Sequence, residues 1–519
     1  MTSLTVALHE LEDDGWRNSR TSGNRKSSEM GRPTKLVRRT TVLIAFRALQ
    51  FSCETTSDPN VSSTIRGGTH PFRTVHKMRT LLIALILCLA ANSPARVAAQ
   101  AFTSSISPVA QAADPLAGGV LYDDVKRYEA FGPHRFGTVG ANAALDWMAD
   151  RLRAAGLDVE MQQFSMERQY ILESATMMVD GKTTSILPQW WIPEDKSSFE
   201  LSAPIAGDGD AEGKFVRLTI PYDQGAYLNK KHRERIAAAL SRKPAAILLT
   251  MDHPSGEIFT YNVSQTDAAW TVPVLLVAPK DEHLLEEAER AGSTVTVAVR
   301  GRYERNVPGR NVIGRLDRGK DVTIVVSTPV TSWFTSTCER GPGIAAFLAT
   351  ASFAARSLPD ANFVFVATAG HEIGHGGMEF FLSQKAPRPN AKITWVHYGA
   401  SLACYRRSRD GDHWKIAPEV DAQSRFFGVS DALAATAQNH FHNVQATWLV
   451  GDRAAAGELR DIKGMGYSNF LGMFGLHPLF HTPLDNSEMT GPAVLEPVVR
   501  GFAAALQDII DKQKALRAD

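Results

Sequence analysis

His371, Glu372 and His375 fall within one five-residue stretch, H-E-I-G-H, and carry side chains suited to metal or acid–base chemistry. Inside a helix, histidines at i and i+4 share a face and bind zinc while the intervening glutamate serves as base. Here Gly370, Gly374, Gly376 and Gly377 interrupt the motif, and glycine costs about 1 kcal/mol per helical position relative to alanine. The stretch therefore reads as a loop. Phe363 to Ala369 before it is a short apolar run of strand character, and Gly376 to Gln384 after it reads as a helix. A glycine-flanked turn between strand and helix sits at the carboxyl edge of a sheet, where α/β proteins place their chemistry.

Other chemistry-bearing residues have simpler readings. Gly341-Pro342-Gly343 has no lysine to make a phosphate-binding loop and suits a helix start. Asp410-Gly411-Asp412 is too short for a calcium loop. Ser336 and Ser401 stand near histidines, yet no G-x-S-x-G elbow is present. His440 and His442 flank Phe441 at the end of a predicted helix, where they suit the helix dipole.

The elements that must position this chemistry begin well inside the chain. Residues 1–77 read as a leader outside the folded protein, rich in Arg, Lys, Ser and Gly between positions 17 and 40. From Met78 a basic start, the apolar run L-L-I-A-L-I-L-C-L-A-A and small residues up to position 101 have the layout of a secretory signal peptide. The expectation is translation from Met78 and export to the periplasm or medium, with a signal anchor as the alternative, since no later apolar run is long enough to hold the protein in a membrane. Of four cysteines, Cys53 and Cys88 lie in these segments, leaving Cys338 and Cys404, an even number that permits a disulfide in an oxidising compartment. A formal net charge of +1 gives no signal for nucleic acid or an anionic membrane. Of 519 residues in all, the mature part of roughly 420 is too long for one core and predicts two domains.

Leu121 to Phe131 and Asn142 to Ala155 carry helical spacing, and Asp158 to Phe164 alternates as a strand. Between 170 and 305 the pattern changes to short strands at Lys214 to Thr219, Ala245 to Thr250, Val272 to Val277 and Thr294 to Val299, with helices at Leu228 to Ala239 and Lys280 to Ala291. From 306 to 519 buried-strand runs alternate with helices at Ile344 to Ala355, Asp431 to His440 and Ala493 to Ala515. Leu495, Val499, Phe502, Leu506 and Ile509 share one face of the last helix. This alternation implies an α/β fold with a mostly parallel central sheet and helices on both faces.

The opening R-F-G-T-V-G-A-N-A-A-L-D-W-M-A-D-R-L-R-A-A-G-L-D-V-E, the order N-V-I-G, strand, small-residue helix, strand with loop glutamate, strand, and the closing F-H-T-P-L-D-N resemble the zinc aminopeptidase family that includes glutamate carboxypeptidases and transferrin receptors. The resemblance implies an exopeptidase domain built from 116–169 and 306–519, interrupted by a protease-associated-like insert at 170–305. It also implies two zinc ions sharing a water that hydrolyses an amide. The ligand positions depart from that pattern. Pro329-Val330-Thr331 replaces H-x-D, Glu339 beside Arg340 replaces the bridging Asp, His371-Glu372 replaces a Glu pair, and a further Asp falls near Gly399. Proline offers no donor atom to a metal. Glu339, Glu372 and His481 remain as a set for one zinc, with His371 as base.

Two other arrangements stay open: an empty site in which Arg340 pairs with Glu339 or Glu372, and a site rebuilt from His371, His375 or His397. The family's loops would place Cys338 and Cys404 together at the abandoned metal position, implying a disulfide there. The Phe470 to Phe480 segment corresponds to the family's substrate loop or to core. The functions implied are an exported hydrolase of peptides or small amides, or a non-catalytic peptide- or protein-binding relative; the oligomeric state is not set by the sequence.

Overall fold

The structure, a computed structural model, describes residues 113–410, 413–454 and 456–515; the leader and signal-peptide expectations lie outside the described residues. The main sheet runs Thr447–Val450, Arg425–Val429, Phe470–Gly475, Ile393–Tyr398, Thr323–Pro329, Asn362–Thr368, Thr294–Leu316, Asp158–Val179 and Lys182–Ser185, with Phe199–Pro204 also on Thr294–Leu316. Its centre is parallel: Thr323–Pro329 pairs in parallel with both Asn362–Thr368 and Ile393–Tyr398, and the latter with Phe470–Gly475. Beyond them, Asn362–Thr368 meets Thr294–Leu316, and Phe470–Gly475 meets Arg425–Val429, in antiparallel pairs.

The central strands are apolar on both faces because both are covered. Ile324 and Val326 join a core formed with Phe347, Phe502 and Leu121 from the helices Thr337–Ser357, Pro492–Ala515 and Gly118–Glu129. Val325 points the other way, into a core with Phe381, Trp395 and Ile462 from the side of the helices Gly376–Gln384 and Glu458–Gly464. The stripe expected on the final helix is fully used, since Leu495, Val499, Phe502, Leu506 and Ile509 are all buried.

Two strands are much longer than their apolar cores. Asp158–Val179 and Thr294–Leu316 form a continuous antiparallel ribbon with a register shift between Leu172 and Ser174. Positions 170 and 305 lie within it, so the chain enters and leaves the 170–305 region through paired strands. That region holds a second sheet of order Leu187–Pro188, Val274–Val277, Ala246–Asp252, Phe215–Pro221, with its own core around Ile236, Ile247, Leu249, Phe259 and Tyr261. The Phe470 segment forms a strand with Phe470, Leu471 and Met473 buried, which makes it core. The hairpin Tyr405–Asp410 with His413–Val420 and the helix Glu458–Gly464 had no forecast in the sequence. Among the described residues no helix is long and apolar enough to cross a membrane.

Candidate functional site

The carboxyl ends of the four parallel strands deliver Thr331, His371–Glu372, Gly399 and His477–His481 to one edge of the sheet. This is where an open α/β sheet binds ligands. H-E-I-G-H is a single tight turn over His371–Ile373, bounded by left-handed Gly370 and Gly374, in agreement with a loop and not a zinc-binding helix. His375, Ser336, Ser401 and His481 also hold positive φ of 57°, 43°, 55° and 57°. Four such residues, none of them glycine, around one sheet edge mark a site whose backbone is held by its surroundings.

Glu339 does not precede its helix but lies in the first turn of Thr337–Ser357, whose N-terminus is capped by Asp485: its carboxylate accepts from Cys338 N at 2.7 Å and Glu339 N at 3.1 Å. The Glu339 side chain is wholly buried. Its Oε2 accepts from Ser332 Oγ at 2.6 Å, and its Oε1 lies 2.8 Å from Arg340 Nη2 and 3.6 Å from His481 Nε2. The Arg340 contact is an ion pair without hydrogen-bond alignment, since neither Nη atom has a hydrogen-bond partner. Burial alone would raise the Glu339 pKa. The Arg340 charge, His481 and the Ser332 hydroxyl outweigh it and hold the carboxyl at about 2.

Arg340 itself is 1% exposed and donates from Nε to Thr331 O at 3.1 Å. Thr331, at the position where the resembled family has an aspartate, donates its hydroxyl to Glu372 Oε2 at 2.7 Å and accepts from Gly370 N at 2.7 Å. The second oxygen of Glu372 accepts from Phe136 N at 2.5 Å. Both Glu372 oxygens are therefore bonded within the protein. Burial raises its pKa against these bonds.

His481 donates from Nδ1 to the Thr260 carbonyl at 2.8 Å, which leaves Nε2 as the atom facing Glu339. His371, assigned as base, is 13% exposed at its side chain, and its Nδ1 lies 3.3 Å from Glu458 Oε1. Burial, with the Arg340 charge beside it, holds its pKa well below the usual imidazole value. His375 stacks on His371 at 4.5 Å between ring centres and meets Asp461 at 2.7 Å and Tyr227 OH at 3.3 Å. His397 pairs with Ser327 Oγ at 2.9 Å, and burial lowers its pKa to about 4.

Glu458 and Asp461 were not foreseen. They come from a short helix with no motif around it, and two acidic residues three apart gave no signal by themselves. Gly399 ends the Ile393–Tyr398 strand without a carboxylate, as its sequence implied.

The one-zinc set is only partly assembled. Glu339 and His481 face each other through Oε1 and Nε2, both without hydrogen-bond partners, but Glu372 is engaged elsewhere and a guanidinium already contacts Glu339. Among the described residues the only His, Cys, Asp or Glu group with three ligand atoms within 4.8 Å is Cys338, Cys404 and His477. Neither Glu339, Glu372 and His481 nor the histidine set built on His371, His375 and His397 forms such a group. Cys338 and Cys404 are joined in a disulfide with Cα atoms 6.3 Å apart, so their sulfurs are not free thiolates. The bridge lies beside Glu339, where the family resemblance placed it. The donors present thus do not fit the three-ligand zinc centre.

No protein-family model matches the chain, and no curated protein matches its sequence. Solved structures do match. BSAP, a zinc aminopeptidase from Bacillus subtilis, aligns at 16% identity and TM-score 0.57 over 75% of this chain and 94% of its own. A peptidase M28 precursor from Shewanella amazonensis aligns at 16% identity and TM-score 0.54 over 74% and 91%. An aminopeptidase from Aneurinibacillus sp. strain AM-1 gives 14% identity and TM-score 0.51 over 74% and 92%. The chain has the fold of the zinc exopeptidases.

Proposed function

We infer that this chain is a binding protein for extended peptide segments, built on the zinc exopeptidase fold and working without two-metal hydrolysis. One observation carries the reading: the buried Arg340 guanidinium contacts Glu339 at 2.8 Å, while Thr331 and Phe136 N occupy both oxygens of Glu372. An internal cation thus neutralises Glu339, and internal donors satisfy Glu372, where a metal would otherwise do so. Structural neighbours that are aminopeptidases by name support a peptide as the ligand class.

A second reading keeps one zinc ion in a hydrolase of peptide N-termini or small amides. It is favoured by His481, whose Nδ1 is fixed on a backbone carbonyl while Nε2 faces the unpartnered Glu339 Oε1; metal-binding histidines are commonly oriented in this way.

Elemental analysis of protein purified without chelator, with turnover of aminoacyl-anilides before and after dialysis against EDTA, separates the two. Sub-stoichiometric zinc, no turnover and an unfolding midpoint unchanged by EDTA are expected. Stoichiometric zinc with turnover lost in Glu372→Gln overturns the binding reading. The disulfide and the layout from Met78 together support export to an oxidising compartment, which N-terminal sequencing of the mature protein checks.

A further inference from the structure

Cys338, Cys404 and His477 form a buried cluster beside the Glu339 site. Cys338 lies in the first turn of the helix Thr337–Ser357, Cys404 just ahead of the strand Tyr405–Asp410, and His477 in the loop after Phe470–Gly475. They are 0%, 2% and 1% exposed. Both sulfurs and a ring nitrogen of His477 lie within 4.8 Å of one another. The Glu339 side chain, next in the chain, turns to Ser332 and Arg340 instead.

The bridge accounts for the meeting of the two cysteines but not for the histidine. Buried polar groups are as a rule hydrogen-bonded, yet His477 Nε2 has no hydrogen-bond partner, while Nδ1 meets Leu479 N at 3.3 Å. Asp485 Oδ2 stands 3.3 Å from Nε2, and the same carboxylate caps the helix at Cys338 N and Glu339 N. The other neighbours are apolar, since Leu479, Met489 and Leu484 pack on the two cysteines. A disulfide in such a lining would be served as well by an apolar residue at 477. An imidazole backed by a carboxylate is, by contrast, the usual form of a metal-binding histidine.

Opening the bridge changes what the cluster can hold. A dithiol donor reduces it by two electrons: the S–S bond breaks, Cys338 and Cys404 each gain a hydrogen, and the donor closes to its own disulfide. Cα atoms 6.3 Å apart lie toward the wide end of the disulfide range, so rotation of the two side chains can part the sulfurs. Two thiolates with an imidazole are a set that suits zinc, and three protein ligands leave a fourth position for water. Binding of the ion displaces the two thiol protons.

We propose that the Cys338–Cys404 bridge and a zinc ion are alternative occupants of one site: the reduced protein holds zinc through Cys338, Cys404 and His477, with Asp485 beside the imidazole, and exchange with a disulfide oxidant re-forms the bridge and releases the ion. In either state the start of the helix Thr337–Ser357 stays tied to the loop at Cys404. Zinc adds the His477 loop as a third attachment. The proposal goes beyond the peptide-binding reading and does not depend on it.

The test compares the purified full chain, oxidised, with the same protein reduced by a dithiol and desalted without oxygen, each titrated with zinc and separately with cobalt(II). Reduction is expected to add one zinc per chain to whatever the oxidised protein holds, so metal bound at Glu339 and His481 does not enter the reading. Cobalt in the reduced protein should give a thiolate-to-metal charge-transfer band. The unfolding midpoint lost on reduction should return with zinc, and oxidised glutathione should release the ion. His477→Gln, which leaves both cysteines in place, should weaken the added zinc at least about tenfold. X-ray absorption at the zinc edge reads the same ligand without a variant, with two sulfur neighbours and an imidazole expected. No gain of zinc on reduction, no charge-transfer band, or a zinc shell without imidazole overturns the proposal. Unchanged zinc affinity in His477→Gln, or a reduced protein that unfolds and is not refolded by zinc, overturns it as well.

Discussion

Arg340 Nη2 stands 2.8 Å from Glu339 Oε1, the same oxygen that faces His481 Nε2 at 3.6 Å. The guanidinium therefore competes directly for the carboxylate that a metal would need. Arg340→Met leaves a buried carboxylate uncompensated and is expected to lower unfolding free energy by about 3–5 kcal/mol. Adding Glu339→Gln removes the second charge and is expected to restore most of the loss. Urea denaturation of the two variants and wild type checks this; equal stability of the single and double variants would show that the pair does not act as a unit.

Glu372 is expected to matter for folding as much as for any ligand. In Glu372→Gln one side-chain position becomes an NH2 donor facing either the Phe136 amide or the Thr331 hydroxyl. A buried mismatch of this kind costs about 1–3 kcal/mol. The threonine can rotate its proton and the amide cannot, so combining Thr331→Val with Glu372→Gln should deepen the loss. Chemical denaturation at neutral pH reads it.

The Cys338–Cys404 bridge closes a span of 66 residues. In the chain-entropy account a loop of that size contributes roughly 4 kcal/mol. Cys338→Ala/Cys404→Ala should therefore lower the denaturation midpoint markedly, while wild-type peptides mapped without reductant should contain both cysteines in one linked species. Two alkylatable thiols in the untreated protein would remove the bridge from the account.

Burial depresses the pKa of His134, His253 and His397 from the usual imidazole value of 6.5 to about 4 in each case. The unfolded chain then binds more protons than the folded one between those limits. Stability from keeping these rings neutral is complete above pH 6.5 and falls as the pH drops toward 4. Unfolding midpoints measured every half unit from pH 7.5 to 4 should decline from about 6.5 downward, and His253→Phe should flatten that slope. A profile unchanged down to pH 5 would contradict it.

The central architecture was legible because burial leaves its mark in order. Strands covered on both faces must be continuous apolar runs, so Phe363 to Ala369 announced itself, as did the one-faced stripe of the final helix. Glycines at 370 and 374 argue against a zinc-binding helix because glycine is a poor helix former, and both hold left-handed backbone in the turn. The family resemblance sets Pro329 and Gly399 at ligand positions, and neither side chain offers a metal a donor atom.

What the tertiary structure alone decided concerns partners far apart in the chain. Arg340 could have turned toward Glu339 or Glu372, and only packing beneath Thr331 chose the first. Glu458 and Asp461 reach His371 and His375 across some 87 and 86 positions, a proximity that no local pattern encodes. Phe259–Val263 reads as ordinary loop text, yet its backbone bonds both the His481 and the Glu372 loops while Phe259 and Tyr261 sit in the insert's core. Residue type limits which atoms can bond; which pairs meet depends on how separate elements pack, and at this sheet edge that packing produced an ion pair and a disulfide.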